Sequence, residues 1–315
     1  MRFDMDRWLA AIVRSDDELS ARVPVLLQDG MQATAIIDAD GTVTRSGSTD
    51  RIPWWSFTKT ALSIATLRLA EEGVLELDEK LPGEPFTTRQ LLRHEAGLPD
   101  YNAIARYHSD VGAGKRPWPV DRLLAAVDVT RLRYDPGTGW AYSNIGYLRI
   151  AQLIERMSGQ KLAAALSSLV FEPARLESAR LAMDSDDLVD VQMGSASSYH
   201  PGWVYHGLIV GTVADAARLL WMLAYGGLLK PATFASMKEC QTLPDYQSDI
   251  HPDPAYGLGL MLTANNPEAH PLGHGGEGPG SKIAVYAQGC RVAAVWTALP
   301  SETDADARVH EILAS

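Results

Sequence analysis

Ser56-Phe57-Thr58-Lys59-Thr60-Ala61-Leu62-Ser63-Ile64-Ala65-Thr66-Leu67-Arg68-Leu69-Ala70-Glu71-Glu72-Gly73-Val74 is the stretch on which the reading of the fold turns. From Phe57 to Val74 the apolar positions Ala61, Ile64, Ala65, Leu67 and Ala70 recur at helical spacing, and Gly73 supplies a stop. Ser56 therefore stands at the head of a helix. Upstream, Ala33-Thr34-Ala35-Ile36-Ile37-Asp38 and Gly41-Thr42-Val43-Thr44 read as two short strands around Asp38-Ala39-Asp40-Gly41, a hairpin signal. Downstream, Thr88 to His94, Val120 to Val127, Tyr147 to Met157, Leu162 to Leu169 and Val213 to Tyr225 carry helix-like spacing. Strand character returns at Tyr256 to Thr263, Lys282 to Ala287 and Arg291 to Leu299, and a last helix is predicted from about Asp304 to Leu313. Strands first, helices in the middle and strands last imply a discontinuous sheet domain, 1–58 and 225–315, carrying a mostly helical domain, 59–224. A cleft between the two is where a ligand site is expected.

The chain has 315 residues, 46% of them hydrophobic and 21% charged, which suits a globular protein with a large core and excludes a disordered one. Its formal charge is −11 and its Lys and Arg residues are scattered, so no basic stripe is available to neutralise a nucleic-acid backbone. The start, Met1-Arg2-Phe3-Asp4-Met5-Asp6-Arg7-Trp8, carries acids early and reads as an amphipathic surface helix rather than a secretory signal. No segment has the run of about 18 apolar residues that a membrane-spanning helix needs. Cys240 and Cys290 have no zinc-like or Cys-x-x-Cys spacing and are expected to be reduced, buried thiols. These features point to a cytoplasmic protein without membrane or nucleic-acid partners; the oligomeric state is left open.

Three segments carry chemistry. Ser56-Phe57-Thr58-Lys59 is an S-x-x-K motif, a spacing that arises about once by chance in a chain of this size, and a serine there is also an ordinary helix cap. Its position gives it weight, because a spacing of three stacks the Lys59 ammonium on the face of the Ser56 hydroxyl, and the helix N-terminus favours developing negative charge. Pro136-Gly137-Thr138-Gly139-Trp140-Ala141 places Tyr142-Ser143-Asn144 in a turn just before a helix. Gly273-His274-Gly275-Gly276-Glu277-Gly278-Pro279-Gly280 would let a substrate lie against the backbone.

Ser56-x-x-Lys59, Tyr142-x-Asn144 and His274-Gly275-Gly276, in that order, resemble the three motifs of class C β-lactamases and related penicillin-binding-protein-like serine hydrolases. Leu91-Leu92-Arg93-His94-Glu95-Ala96-Gly97-Leu98-Pro99 looks like the family's Leu-Leu-x-His-x-x-Gly-Leu-Pro segment; Pro136-Gly137, Asn144-x-Gly146-Tyr147 and Thr212-x-x-Asp215 also fit. The likeness runs over about residues 30 to 300. It implies an α+β fold, an antiparallel β-sheet of five or more strands flanked by helices with a mostly helical inserted second domain, and catalysis through an acyl-enzyme on Ser56. By the same resemblance Tyr142 is the favoured base and later the acid, and Lys59 supplies charge or relays the proton; the residues themselves leave the two assignments open. Tyr142 beside Lys59 is expected to approach a phenolate. Asn144 would hold Lys59 and the substrate amide, His274 would be a weak, pH-dependent partner for a substrate carboxylate, and the Ser56 and Glu277 backbone N–H groups would hold the oxyanion beside Gly275 and Gly276.

Other readings fit less well. Gly273-x-Gly275-x-x-Gly278 matches a dinucleotide fingerprint but leads into a strand-like run. His94-Glu95 lacks the second histidine of a zinc protease, Leu98 standing in its place, and His94 is expected to bond to backbone. His200, His206, His251 and His270 show no paired spacing, so neither a metal nor another cofactor is expected. No G-x-S-x-G elbow surrounds any serine. Trp54, Trp55, Tyr199, His200, Trp203, Tyr205 and His206 either pack or wall an acyl pocket, and His206-Gly207 departs from the Gly-Gly common in relatives. The expected function is an esterase or amidase acting on a small ester, amide or lactam. The alternatives are β-lactamase or D-amino-acid peptidase activity, or a catalytically silent ligand-binding protein.

Overall fold

A computed structural model describes residues 31–196, 198–266, 271–301 and 303–315. The surface helix expected at the start of the chain and His270 lie outside the described residues. Strands β1 (Gln32–Ile37) and β2 (Val43–Gly47) form the expected hairpin, pairing Ala33 with Gly47 through Ile37 with Val43. A two-residue strand, β3 (Ile52–Pro53), then leads through a single 3₁₀ turn, Trp55–Phe57, into helix α1 (Thr58–Glu71), which Gly73 ends at φ 71°.

Helices α2 (Thr88–Leu92), α3 (Ala105–Gly112), α4 (Val120–Ala126), α5 (Asn144–Ser158) and α6 (Leu162–Leu166) follow. Strands β4 (Arg180–Ala182) and β5 (Leu208–Gly211) join β3 in a small antiparallel sheet ordered β3-β5-β4. Helices α7 (Val213–Ala224) and α8 (Pro231–Lys238) precede the last strands: β6 (Gln241–Thr242), β7 (Pro254–Tyr256), β8 (Met261–Thr263), β9 (Leu272–Gly278), β10 (Ser281–Gln288) and β11 (Arg291–Ala298). Helix α9 (Ala305–Ala314) closes the fold, capped by the Asp304 carboxylate.

The main sheet is antiparallel with the order β2-β1-β11-β10-β9-β8-β7-β6, so the first hairpin lies against the last strand and closes the sheet across the length of the chain. Its central strands are apolar on both faces and sort by period two. Val292, Ala294 and Trp296 of β11, with Ile283 and Val285 of β10, enter the core shared with α1, α5 and α7. Ala293, Val295, Ala284 and Tyr286 point the other way, onto Ala305, Val309 and Ile312 of α9.

Three expectations need correcting. The single strand expected from Tyr256 to Thr263 is a hairpin, because Gly257 donates its N–H to the Leu260 carbonyl at 2.8 Å and turns the chain between β7 and β8. The boundary expected at residue 225 falls after α7, yet α7 packs on β1, β10 and β11 of the sheet. Cys290 is exposed at the tip of the β10–β11 hairpin and Cys240 is half-buried; both are free thiols.

Trp296 is fully buried with its indole N–H unpartnered among the described residues, so Trp296→Ala should cost about 3–5 kcal/mol in urea unfolding. Trp296→Phe, which also removes the orphaned donor, should cost clearly less; equal losses would contradict this account of the packing.

Candidate active site

The turn that carries Ser56 is held from several sides. Trp54 donates its backbone N–H to the Ile209 carbonyl at 2.9 Å and its indole N–H to Gly211 O at 3.3 Å, which ties the turn to β5. Trp55 adopts φ 43°, a left-handed backbone costly for any residue with a Cβ. Its indole N–H donates to Ser281 Oγ at 3.1 Å and its ring meets Tyr199 edge-on at 5.4 Å, so packing sustains the strain. Ser56 follows, and its hydroxyl caps neither the turn nor α1, leaving it free for other work.

One turn on, Lys59 is fully buried. Its Nζ donates to Ser56 Oγ at 3.2 Å and to Asn144 Oδ1 at 2.8 Å, and lies 3.2 Å from His206 Nε2. Burial pulls the ammonium down to about 7, against the opposing pull of the Asp100 carboxylate.

Tyr142 reaches the same serine from the opposite wall, its phenol donating to Ser56 Oγ at 2.9 Å. Its loop is pinned to His94: the His94 carbonyl accepts from Ala141 N at 3.1 Å and from the Tyr134 hydroxyl at 2.9 Å, and His94 Nδ1 accepts from Ser143 N at 3.1 Å. The His94 ring also stacks on Tyr142 at 4.4 Å between centroids. His94 is thus bonded to backbone, as expected for a structural histidine. Ser143 caps α5 through Gly146 N, which fixes where Asn144 begins the helix. Lys59 Nζ sits 4.9 Å from the centre of the Tyr142 ring. The expected phenolate is not what this environment favours. Burial pushes the Tyr142 phenol well up from its ordinary value; the bond to Ser56 opposes this, while Asp100 and Tyr147 add to it.

Asn144 faces inward on both ends of its amide. Oδ1 accepts from Lys59, and Nδ2 lies 3.3 Å from each Asp100 carboxylate oxygen. The structure therefore gives Asn144 the task of holding Lys59 but commits to Asp100 the N–H group expected to meet a substrate amide. Asp100 also accepts from the Tyr101 and Asn144 backbone N–H groups, at 2.8 and 3.3 Å.

The glycine-rich third motif is itself a strand, β9. It pairs with β8 only at Gly273, so from His274 onward its second edge runs beside the Trp55–Phe57 turn. A Cβ on Gly276 would fall 2.7 Å from Trp54 O and 2.8 Å from Ser56 N, so only glycine admits this approach. The opposite face of β9 belongs to α9: Gly275 lies against Asp306, and the Glu277 carboxyl is raised by burial with Lys282, Asp306 and Asp304 as its charged neighbours. Glu277 thus turns its side chain toward α9 and away from the Ser56 turn. His274 departs from expectation. It is fully buried, its Nε2 accepts from the Tyr256 hydroxyl at 3.0 Å, and its Nδ1 is taken by the Gly275 carbonyl. Burial brings it down to about 3, so a neutral imidazole with both nitrogens occupied stands where a partner for a substrate carboxylate was expected.

Sequence reasoning missed Asp100 and His206 as members of this cluster. Asp100 follows the quoted Leu-Pro segment directly, and His206 was read as a packing or pocket-wall residue that departs from Gly-Gly; neither has a spacing that ties it to Lys59.

This geometry brings the three motifs together: a serine on a strained turn faces a buried lysine and a tyrosine beside the edge of an antiparallel sheet. A family model described as Beta-lactamase matches residues 26–314, and the chain belongs to that family. Penicillin-binding protein 4* of Bacillus subtilis (strain 168) is 30% identical over 141 residues, 40% of this chain and 29% of that protein. A D-aminopeptidase of Gluconobacter oxydans (strain 621H) is 30% identical over 195 residues, 60% of this chain and 36% of that one. Esterase EstB of Burkholderia gladioli is 32% identical over 138 residues, 38% of this chain and 35% of the esterase. The chain thus spans about a third of the length of these curated relatives. Among solved structures, a D-stereospecific amidohydrolase from Streptomyces sp. superposes with a TM-score of 0.71 at 22% identity, covering 85% of this chain and 88% of that one. An octameric penicillin-binding protein homologue from Pyrococcus abyssi gives 0.72 at 21% identity over 98% and 76%. At such identities the superpositions show the fold alone.

Burial holds His94 and His206 well below 6.5 and His274 at about 3, so all three stay neutral in the folded state while the unfolded chain takes up protons near 6.5. Stability from these groups is present above pH 6.5 and is lost as pH falls from there toward their folded values. Thermal melts should therefore show Tm dropping steadily below about pH 6.5; a flat profile from pH 7 to 5 would rule this account out. Gly276→Val, which forces a side chain onto the Ser56 turn, should lower acylation at least tenfold, about 1.4 kcal/mol in barrier, as measured by burst kinetics.

Proposed function

We propose that this protein is a serine hydrolase that cleaves an ester or amide of a small, uncharged acyl compound through an acyl-enzyme on Ser56. One observation carries the reading: a single hydroxyl oxygen, Ser56 Oγ, lies within hydrogen-bond distance of both Lys59 Nζ and Tyr142 OH. A serine is a weak nucleophile and needs a base to take its proton. With Lys59 near 7 and Tyr142 raised, the lysine amine is the base available at neutral pH. Lys59 takes the proton as Oγ attacks the carbonyl carbon, and the Ser56 and Glu277 N–H groups receive the developing oxyanion. Tyr142 then gives its O–H proton to the departing alkoxide or amine and is reprotonated from Lys59. Water attacks the acyl-enzyme by the same route in reverse and regenerates Ser56.

The preference for an uncharged acyl part follows from His274, a neutral imidazole with both nitrogens occupied where a substrate carboxylate would need a cation. Esterase EstB and the D-aminopeptidases among the relatives support ester and amide substrates. Short-chain nitrophenyl esters and amino-acid amides should therefore be better substrates than carboxylate-bearing lactams. Two free cysteines suit a cytoplasmic setting.

Ser56→Ala should abolish ester hydrolysis and labelling by a serine-directed phosphonate. Labelling that persists on another serine sinks the assignment. For the wild type, kcat/KM should rise with pH through about 7 and level off, because the base works only when deprotonated. Tyr142→Phe should lower turnover by about two to four orders of magnitude while keeping that limb; loss of the limb in this variant would transfer the role of base to the phenol.

A further inference from the structure

His206 is a buried imidazole whose position the proposed reaction has not yet used. Its Nε2 lies 3.2 Å from Lys59 Nζ, and its Nδ1 is buried without a partner among the described residues. A buried polar group with one nitrogen orphaned is costly. The polar contact that the structure gives this ring is to the lysine.

Lys59 Nζ is tetrahedral. One direction is taken by its own side chain, and the other three are occupied by Asn144 Oδ1 at 2.8 Å, Ser56 Oγ at 3.2 Å and His206 Nε2 at 3.2 Å. We propose that His206 is a positioning residue for acyl transfer: it accepts one N–H of the Lys59 amine while Asn144 accepts the other, leaving the nitrogen lone pair aimed at Ser56 Oγ. With one acceptor alone the amine would rotate about its last carbon bond and spend its time facing elsewhere. The inference rests on Lys59 being the base.

The fold is built to hold this contact. His206 ends the turn in which Gly207 N donates to Val204 O at 2.7 Å, immediately before β5. In β5, Ile209 N donates to Thr58 Oγ1 at 3.2 Å, on the residue just before Lys59. Imidazole and lysine are thus tied together through the Thr58 side chain, one residue from the lysine, and the Ile209 backbone, three residues from the imidazole. The ionisable groups that act on the ring are Lys59 on α1, His94 after α2 and His274 on β9, with Asp100 behind Asn144. Burial first, then Lys59, His274 and His94, oppose a positive charge on His206 and keep its Nε2 an acceptor.

The test compares His206→Leu, His206→Met and His206→Gln with the wild type, following acylation of Ser56 by a nitrophenyl ester with quenched-flow intact mass across pH, beside circular dichroism and thermal melts. The leucine and methionine variants should acylate about ten- to a hundredfold more slowly with KM little changed. Their acid limb should move to lower pH, because the ammonium loses one of its three acceptors. Glutamine, which keeps an acceptor, should recover most of the rate. Should the leucine variant not fold, the methionine and glutamine pair decides. Wild-type rate and limb in the leucine or methionine variant overturn the inference, as does a glutamine variant as slow as they are, and either result leaves the Ser56 reading intact. A wild-type protein that forms no adduct at Ser56 overturns that reading and this inference with it.

Discussion

The site depends on keeping one ammonium out of water. A lysine buried this completely is expensive unless its N–H groups are all received, and here three acceptors surround Nζ with a carboxylate, Asp100, one residue further back. Each acceptor comes from a different part of the chain. Ser56 rides on the turn before α1, Asn144 opens α5, and His206 precedes β5. The incomplete compensation is functional, since it leaves the amine close to neutrality at the pH where the proposed reaction needs a base.

What the sequence made legible follows from where its signals are local. The first hairpin, α1, α5, α7, α9 and the apolar strands β10 and β11 carry their own period and turn residues, and they are where the spacing places them within a few residues. Helix α3 was invisible because its stability is tertiary: only Tyr107 and Asp110 are buried in it, and Asp110 is held from outside by Lys115 and the Trp118 indole. Strand β9 was hidden by its glycines, which are there because the Ser56 turn lies against it, not because the chain bends. The three motifs were readable in order because each is a short cluster. That Lys59 would meet His206 and feel the charge of Asp100 was not readable, since those interactions join positions 147 and 41 residues away and no spacing rule spans such loops.

Three neutral histidines, His94, His206 and His274, stand around one lysine, each fixed by backbone or by another side chain. At position 274 the neutral ring supplies no charge to an anionic substrate, and at position 206 it fills the space beside Lys59. Neither ring adds a positive charge near Ser56, which suits the proposed chemistry on uncharged acyl groups. The relatives named esterase and D-aminopeptidase are compatible with such a site, while the fold itself is shared by proteins of several activities.

Trp55 sits in a left-handed backbone and is pressed between Gly278 and Tyr199, so the direction of the neighbouring hydroxyl is set by a tightly wedged indole. Any attempt to widen the cleft for bulkier acyl groups by trimming that indole would relax the wedge and let the nucleophile swing. Tyr199 packs edge-on against the same indole, so trimming it would loosen the wedge as well, and redesign for larger substrates has to leave both rings in place.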